Sequence, residues 1–140
     1  MGNHTVTSFD QELRAIDELI RDMGDMAESM VDAAIRALLH SDAALSQRTV
    51  SDDAIMDARQ RELDDRAITL IAKRQPMAQD LRAVVGAIRM AGDLERIGDL
   101  AKNIAKRVNA VGAAPTPRKL SHGIEAMSGL VLAQIRGVVD

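Results

Sequence analysis

Aromatic residues and cysteine are almost missing from this chain of 140 residues. It contains no cysteine, tryptophan or tyrosine, and Phe9 is the single phenylalanine. Without cysteine, the chain can form no disulfide, no thiolate metal site and no cysteine nucleophile. β-Sheet proteins draw heavily on aromatic and β-branched residues, whereas alanine, leucine, methionine, glutamate and arginine are strong helix formers. Because eight methionines and many alanines must fill the core instead, the composition favours an all-α fold.

Neither a dominant charge nor a long hydrophobic run is present. The 21 acidic and 18 basic residues give a formal net charge of −3, so nucleic-acid binding has no global electrostatic support. No stretch approaches the roughly 18 apolar residues of a membrane span, and the N-terminus lacks the basic region and apolar core of a secretory signal. The sequence therefore predicts a cytoplasmic protein with no nucleic-acid partner and no direct membrane insertion.

Hydrophobic periodicity predicts three long helices in one bundle. In the first, from about 9 to 39, apolar residues recur at alternating steps of four and three, with Ser8 as the N-cap. The second is expected from about 43 to 74. Because the residue before a proline is biased out of the α region, the second helix should end at Gln75. The third is expected from roughly 77 to 111, with Pro76 in its first turn.

The chain also shows a weak internal repeat. A shift of 108 residues aligns six residues of the first helix with six near the end of the sequence: Ile16, Leu19, Met23, Met30, Val31 and Asp32 with Ile124, Met127, Val131, Val138, Val139 and Asp140. We therefore expect a flexible N-terminus over 1–7, a three-helix repeat over 8–111, a linker over 112–117, and the beginning of a truncated second repeat over 118–140.

The third predicted helix is apolar on two opposite sides, and a helix of that kind needs two sets of neighbours. One predicted face carries Leu81, Val85, Ile88, Gly92, Glu95 and Asp99. The other carries Met90, Leu94, Ile97, Ala101, Ile104 and Val108.

Two pairs of acids with one-turn spacing are the candidate functional residues. Asp53 and Asp57 share one face of the second helix, and Glu95 and Asp99 share one face of the third. In an antiparallel hairpin about the break at 75–76, residues at the same height have numbers that sum to about 151. Asp53 should therefore lie level with Asp99, and Asp57 with Glu95. Oxygen ligands suit Mg²⁺, Ca²⁺ or Mn²⁺, and also fit Fe or Zn, so this spacing indicates a metal site.

Surface charge is the alternative interpretation of these acids. Asp57 can pair with Arg61 and Asp99 with Lys102 at helical spacing, and most charged residues on bundle helices form a solvated, salt-bridged surface. An enzyme is the weakest hypothesis. The sequence contains no glycine-rich phosphate loop and no Ser-His-Asp or Cys-His arrangement, and its three histidines are scattered far from the acids. We predict no catalytic residues.

The residues around the predicted hairpin resemble a known family. The run Ile-Ala-Lys-Arg-Gln-Pro-Met-Ala-Gln-Asp-Leu-Arg at 71–82, the run Leu-Glu-Arg-Ile-Gly-Asp at 94–99, and Asn103 with Ile104 are similar to the PhoU family of accessory regulators of bacterial phosphate uptake. The resemblance implies two similar three-helix bundles, of which this chain holds the first. It also implies metal ions at paired acidic motifs, which match Glu95 with Asp99 and Asp53 with Asp57.

The resemblance further implies partners and a regulatory role. PhoU proteins act with the ATPase of the phosphate ABC transporter and with the phosphate-sensing histidine kinase, and they repress the phosphate-starvation response when phosphate is plentiful. A homodimer is expected, placed in the cytoplasm and held peripherally at the inner face of the membrane through the transporter. A regulatory adaptor that binds metal is thus the leading hypothesis, and a purely structural helical module without metal is the alternative.

Overall fold

The computed structural model describes residues 2–114 and 116–139, with side chains from residue 7 onward, and this part of the chain is helical without a strand. Its four helices are α1 (Gly2–His40), α2 (Ala43–Arg74), α3 (Gln79–Val111) and α4 (Arg118–Val139). The all-α prediction is confirmed. Among the described residues, no helix combines the length and the apolar character needed to cross a membrane.

The boundaries of α2 agree with the prediction, and local chemistry explains both ends. At the N-terminal end, the Asp42 carboxylate accepts a hydrogen bond of 3.0 Å from the Leu45 N–H, which satisfies one of the unpaired donors of the first turn. At the other end, Gln75 adopts a left-handed conformation with φ of 48°. Its N–H donates to the carbonyl of Ile71 at 3.0 Å, so the helix closes immediately before Pro76.

Two predicted helix starts are wrong. α1 begins at Gly2, so Ser8 lies inside the helix and is not its N-cap; its hydroxyl accepts a hydrogen bond from the Arg74 guanidinium instead. α3 begins at Gln79, so Pro76 lies in the connection between helices. The chain passes through left-handed backbone at Gln75 and again at Ala78, whose φ is 52°, and this second reversal delays the helix by two residues.

The three long helices bury a shared seam of small and apolar side chains. Seven buried residues of α1 follow the predicted heptad spacing: Ile16, Ile20, Met23, Ala27, Met30, Ala34 and Ala37. Those of α3 are mostly small: Val84, Ala87, Ala91, Leu94, Gly98, Ala101, Ala105 and Val108. Leu94, Ala101 and Val108 of this seam belong to the second predicted face, whereas the first predicted face is half-buried except for the exposed Leu81. Alanine and glycine form the seam because they let neighbouring helices approach closely, and the bulkier residues flank it.

α1 is the central element of the arrangement. It contacts α2, α3 and α4, while α2 also contacts α3. The fourth helix packs on α1 in antiparallel orientation, since Arg136 pairs with Glu28 at 2.5 Å and Val139 lies against Gly24. Residues 112–117 connect α3 to α4, where the sequence predicts a linker. α4 keeps a largely exposed apolar surface: Leu120, Met127, Leu130, Val131 and Val138.

Candidate metal centre

The register between α2 and α3 sets which side chains meet across this helix pair. The buried Ser46 hydroxyl donates a hydrogen bond of 2.7 Å to the carbonyl of Ala105. These residue numbers sum to 151, the value expected for an antiparallel hairpin about the Gln-Pro break. The predicted register is therefore the one in the structure, and it brings the acids of α2 level with those of α3.

Three of the four predicted acids converge. Asp53, Asp57 and Glu95 each place one carboxylate oxygen within 4.8 Å of the other two. Oxygen ligands lie about 2.0–2.6 Å from Mg²⁺ or Ca²⁺, so two ligands of one ion are separated by roughly 3–5 Å. Asp53 is buried and the other two acids are half-buried. The three oxygens therefore meet the distance requirement of a single hard cation without a change in the backbone.

The electrostatics of this cluster favour binding of a positive charge. Burial raises the pKa of the Glu95 carboxyl, and so do its hydrogen bond with Asp57 and the negative charges of Asp57, Asp99 and Asp53. Because a carboxylate must be deprotonated to hold a metal ion, binding at this cluster would release protons, and the ion would supply positive charge against the same repulsion.

One oxygen of Asp53 has no partner. Its Oδ2 accepts a hydrogen bond of 2.8 Å from the Lys102 ammonium, whereas its Oδ1 is buried and has no hydrogen bond to any residue that the structure describes. A buried carboxylate oxygen without a partner is costly, because it has lost its hydration shell without compensation. This orphaned atom is the strongest sign that the residues present fit a bound cation.

Asp99 does not join the cluster. Its carboxylate is 44% exposed and accepts an ion pair of 2.7 Å from Lys102, as the surface-charge interpretation expects. The Asp57–Arg61 pair of that interpretation is not formed within the described residues. The hydrogen bonds with Asp53 and Asp99 raise the pKa of Lys102 above its usual value. The ammonium thus bridges α2 and α3 beside the three converging acids.

Two further features of this helix pair were not predicted from the sequence. Lys102 was assigned to its helical neighbour Asp99 alone, and its contact with Asp53 spans 49 positions. Asp64 follows Asp57 by two helical turns on α2; burial first, and then the charge of Asp65, raises the pKa of Asp64. Its Oδ1 is also buried without a partner among the described residues. The 4-3-4 spacing of Asp53, Asp57, Gln60 and Asp64 was the signal for this polar edge of α2.

A glycine of α3 lets this helix approach α1 and α2 closely near the three acids. A Cβ on Gly98 would lie 3.3 Å from Cγ of Met56 and 3.4 Å from Sδ of Met30, so the missing side chain leaves room for two methionines. Met56 is fully buried beside Asp57 in the sequence, and Gly98 lies one turn from Glu95. The packing of Gly98 on the two methionines therefore helps to set the distance between α2 and α3 at the level of Asp57 and Glu95.

Comparison with known proteins decides the family. The PhoU domain matches residues 20–108 of this chain, which is more than half of its length. The chain belongs to the PhoU family. The matched segment contains Asp53, Asp57, Glu95, Asp99 and Lys102, so every residue of the candidate site lies inside the PhoU domain. The resemblance found in the runs at 71–82 and 94–99 is confirmed.

Curated PhoU relatives extend over nearly the whole chain. A phosphate-specific transport system accessory protein PhoU homolog from Rhizobium meliloti (strain 1021) is 50% identical over 137 residues, which are 98% of this chain and 58% of that protein. A protein of the same name from Caulobacter vibrioides (strain NA1000 / CB15N) is 41% identical over 140 residues, or 100% of this chain and 61% of that protein. The chain therefore spans about 60% of the length of these relatives.

Proposed function

We propose that this PhoU-family chain is part of a regulator of bacterial phosphate uptake, and that a metal ion between α2 and α3 supports its regulatory state. The family match and the names of the curated relatives support the regulatory role. The convergence of Asp53, Asp57 and Glu95, with the orphaned oxygen of Asp53, supports the metal. The proposed protein is an adaptor without catalytic activity of its own.

A bound ion would act as a cross-link between two helices. Asp53 and Asp57 would hold it from α2 and Glu95 from α3. The ion would supply positive charge at a place where negative carboxylates repel one another and burial disfavours their charge. All three ligands are carboxylates, which favours the hard cations Mg²⁺, Ca²⁺ and Mn²⁺, with Fe and Zn as further candidates. The chain's own contribution is to fix the three side chains at one height of the α2–α3 pair.

The proposed partners belong to the phosphate-uptake system. We assign docking to the ATPase of the phosphate ABC transporter and to the phosphate-sensing histidine kinase, with repression of the phosphate-starvation response when phosphate is plentiful. For this role the proposed location is the cytoplasm, at the inner face of the membrane when the protein is bound to the transporter. The proposed oligomeric state is a homodimer. The cross-link between α2 and α3 would preserve the shape of the surface that docks.

Binding to the transporter ATPase tests this function. The affinity of the chain for the ATPase is measured by biolayer interferometry in Mn²⁺ and again in EDTA. Glu95→Gln is the test variant, and Glu125→Gln, at an exposed position of α4, is the matched control. We expect tighter binding in Mn²⁺ than in EDTA for the wild type and the control, and no metal dependence for Glu95→Gln. Equal affinity with and without metal in the wild type would contradict the proposal.

A structural helical module without metal is the second candidate, and one observation favours it. The Lys102 ammonium already pairs with both Asp53 and Asp99, so two of the four predicted acids share a cationic partner. Elemental analysis of untagged protein, purified without chelators and after soaking in each candidate metal, separates the two functions. The regulatory proposal expects a stoichiometric ion that Asp57→Asn removes. The structural module expects no ion in either protein.

A further inference from the structure

The Lys102 ammonium occupies a defined position between two helices. Its Nζ lies 2.8 Å from Oδ2 of Asp53 on α2 and 2.7 Å from Oδ1 of Asp99 on α3, and 20% of its side chain is exposed. The contact with Asp99 is local, because the residues are three positions apart on one helix. The contact with Asp53 is tertiary. Lys102 therefore ties the two helices together at the end of the acidic cluster that holds Asp53.

This placement divides the four predicted acids into two groups. Asp53 and Asp99 share the ammonium, whereas Asp57 and Glu95 each place one oxygen in the group of converging carboxylates. Asp53 belongs to both groups, because Oδ2 faces Lys102 while one of its oxygens lies within reach of the other two acids. An ion that recruited Asp99 would have to break a 2.7 Å ion pair. It would also place its own charge beside the ammonium, and like charges at that distance repel strongly.

We propose that Lys102 is an internal counter-ion that keeps Asp99 out of the cation site, so that the site consists of three carboxylates and has a limited affinity. The inference rests on the proposed metal binding and defines how that site is regulated. A lysine suits this role because its ammonium is a compact point charge with three donors on a flexible stem. Movement of that one side chain would free the Asp99 carboxylate from its ion pair beside the site.

Isothermal titration with Mn²⁺ tests the proposal in four proteins: wild type, Lys102→Met, Asp99→Asn and the double variant. We expect Lys102→Met to bind Mn²⁺ roughly tenfold more tightly, in the range by which neighbours of metal ligands change affinity. Asp99→Asn should have little effect in the wild type and should abolish the gain in the Lys102→Met background. Lys106→Met, at an exposed position one turn further along α3, is the charge-matched control and should bind as the wild type does.

Two further measurements guard against a trivial loss of the fold. Lys102→Arg keeps the positive charge and should retain wild-type affinity for Mn²⁺. In EDTA, Lys102→Met should melt below the wild type, because removal of the ammonium leaves Asp53 and Asp99 unpaired, and saturating Mn²⁺ should raise its melting temperature more than that of the wild type. A Lys102→Met protein that fails to fold in EDTA yet folds in Mn²⁺ would also support the exchange of one cation for the other.

The contrary results are separable. If wild type and Lys102→Met bind Mn²⁺ with equal affinity, or if Asp99→Asn costs the same in both backgrounds, the role of Lys102 is refuted and the metal site remains. If Lys102→Met binds less tightly than wild type, Lys102 supports the site instead of limiting it, and the proposal also fails. If neither protein binds Mn²⁺ while both are folded, the metal part of the proposed function fails together with this inference.

Discussion

Replacement of glycine by alanine at three helical positions tests how closely the helices pack. A Cβ on Gly86 meets nothing within 4 Å. A Cβ on Gly98 would lie 3.3 Å from Cγ of the buried Met56. A Cβ on Gly24 would lie 2.6 Å from Cγ1 of Val139 on α4. The same substitution therefore meets open space, a tight contact and a direct overlap at three places in one bundle.

The expected change in stability has opposite signs for Gly86→Ala and Gly24→Ala. Alanine in a helix interior is favoured over glycine by about 1 kcal/mol, and Gly86→Ala should gain all of it, a rise of roughly 3–5 °C in melting temperature. At Gly24 the added Cβ would lie about 1 Å closer to Val139 than a normal carbon–carbon contact allows, and the β-branched Val139 has few alternative rotamers. An overpacking cost of about 1–3 kcal/mol then leaves Gly24→Ala destabilised by about 0–2 kcal/mol.

The stability of Gly98→Ala should lie between those of Gly86→Ala and Gly24→Ala. Its contacts are to methionine side chains, which have three rotatable bonds and adjust to a small overlap, so part of the helical gain survives. Thermal unfolding followed by circular dichroism in EDTA gives the order of the three variants. We expect the melting temperature to be highest for Gly86→Ala, intermediate for Gly98→Ala and lowest for Gly24→Ala. A Gly24→Ala protein as stable as Gly86→Ala would refute the packing of α4 on α1.

Two further predictions concern the α2–α3 pair. The raised pKa of Glu95 means that its protonated form stabilises the fold; that contribution is complete below its unfolded value of about 4.5 and is lost as pH rises through the folded value. In EDTA, Glu95→Gln should therefore raise the melting temperature at pH 7. It should also reduce the decrease in melting temperature that the wild type shows between pH 4.5 and 7. An unchanged pH profile would contradict this expectation. Ser46→Ala loses the buried bond to Ala105 and should cost about 1 kcal/mol in urea unfolding. The exposed Ser51→Ala, whose hydroxyl bonds only within its own helix, should cost clearly less, and equal costs would argue against the register.

The hairpin was predictable because its signals are local. Asp42 as an N-cap and the Gln-Pro break bound α2 at both ends. Once those ends are known, the antiparallel register follows from counting, and the Ser46–Ala105 bond agrees with that count. The meeting of Asp57 with Glu95 is a direct consequence. These elements needed no knowledge of the rest of the bundle.

The errors arose where two local explanations compete. Ser8 has the chemistry of an N-cap, yet inside α1 its hydroxyl meets Arg74, a partner 66 residues away. The buried seam of α3 consists largely of alanine and glycine. The sequence prediction instead placed the faces of α3 along the larger residues that flank this seam. Asp99 lies level with the other acids, and its carboxylate pairs with Lys102 in the structure, so its role as a metal ligand stays a prediction. Each outcome depends on a tertiary neighbour that periodicity does not reveal.

Anomalous diffraction from crystals grown with Mn²⁺ tests the central claim most directly, because it locates the ion. We expect one strong peak per chain, within coordination distance of carboxylate oxygens from Asp53, Asp57 and Glu95, while Asp99 stays paired with Lys102. A peak that includes Asp99 as a ligand would contradict the three-carboxylate site. Absence of any peak among these residues would return the acids to surface charge and leave the structural module as the function.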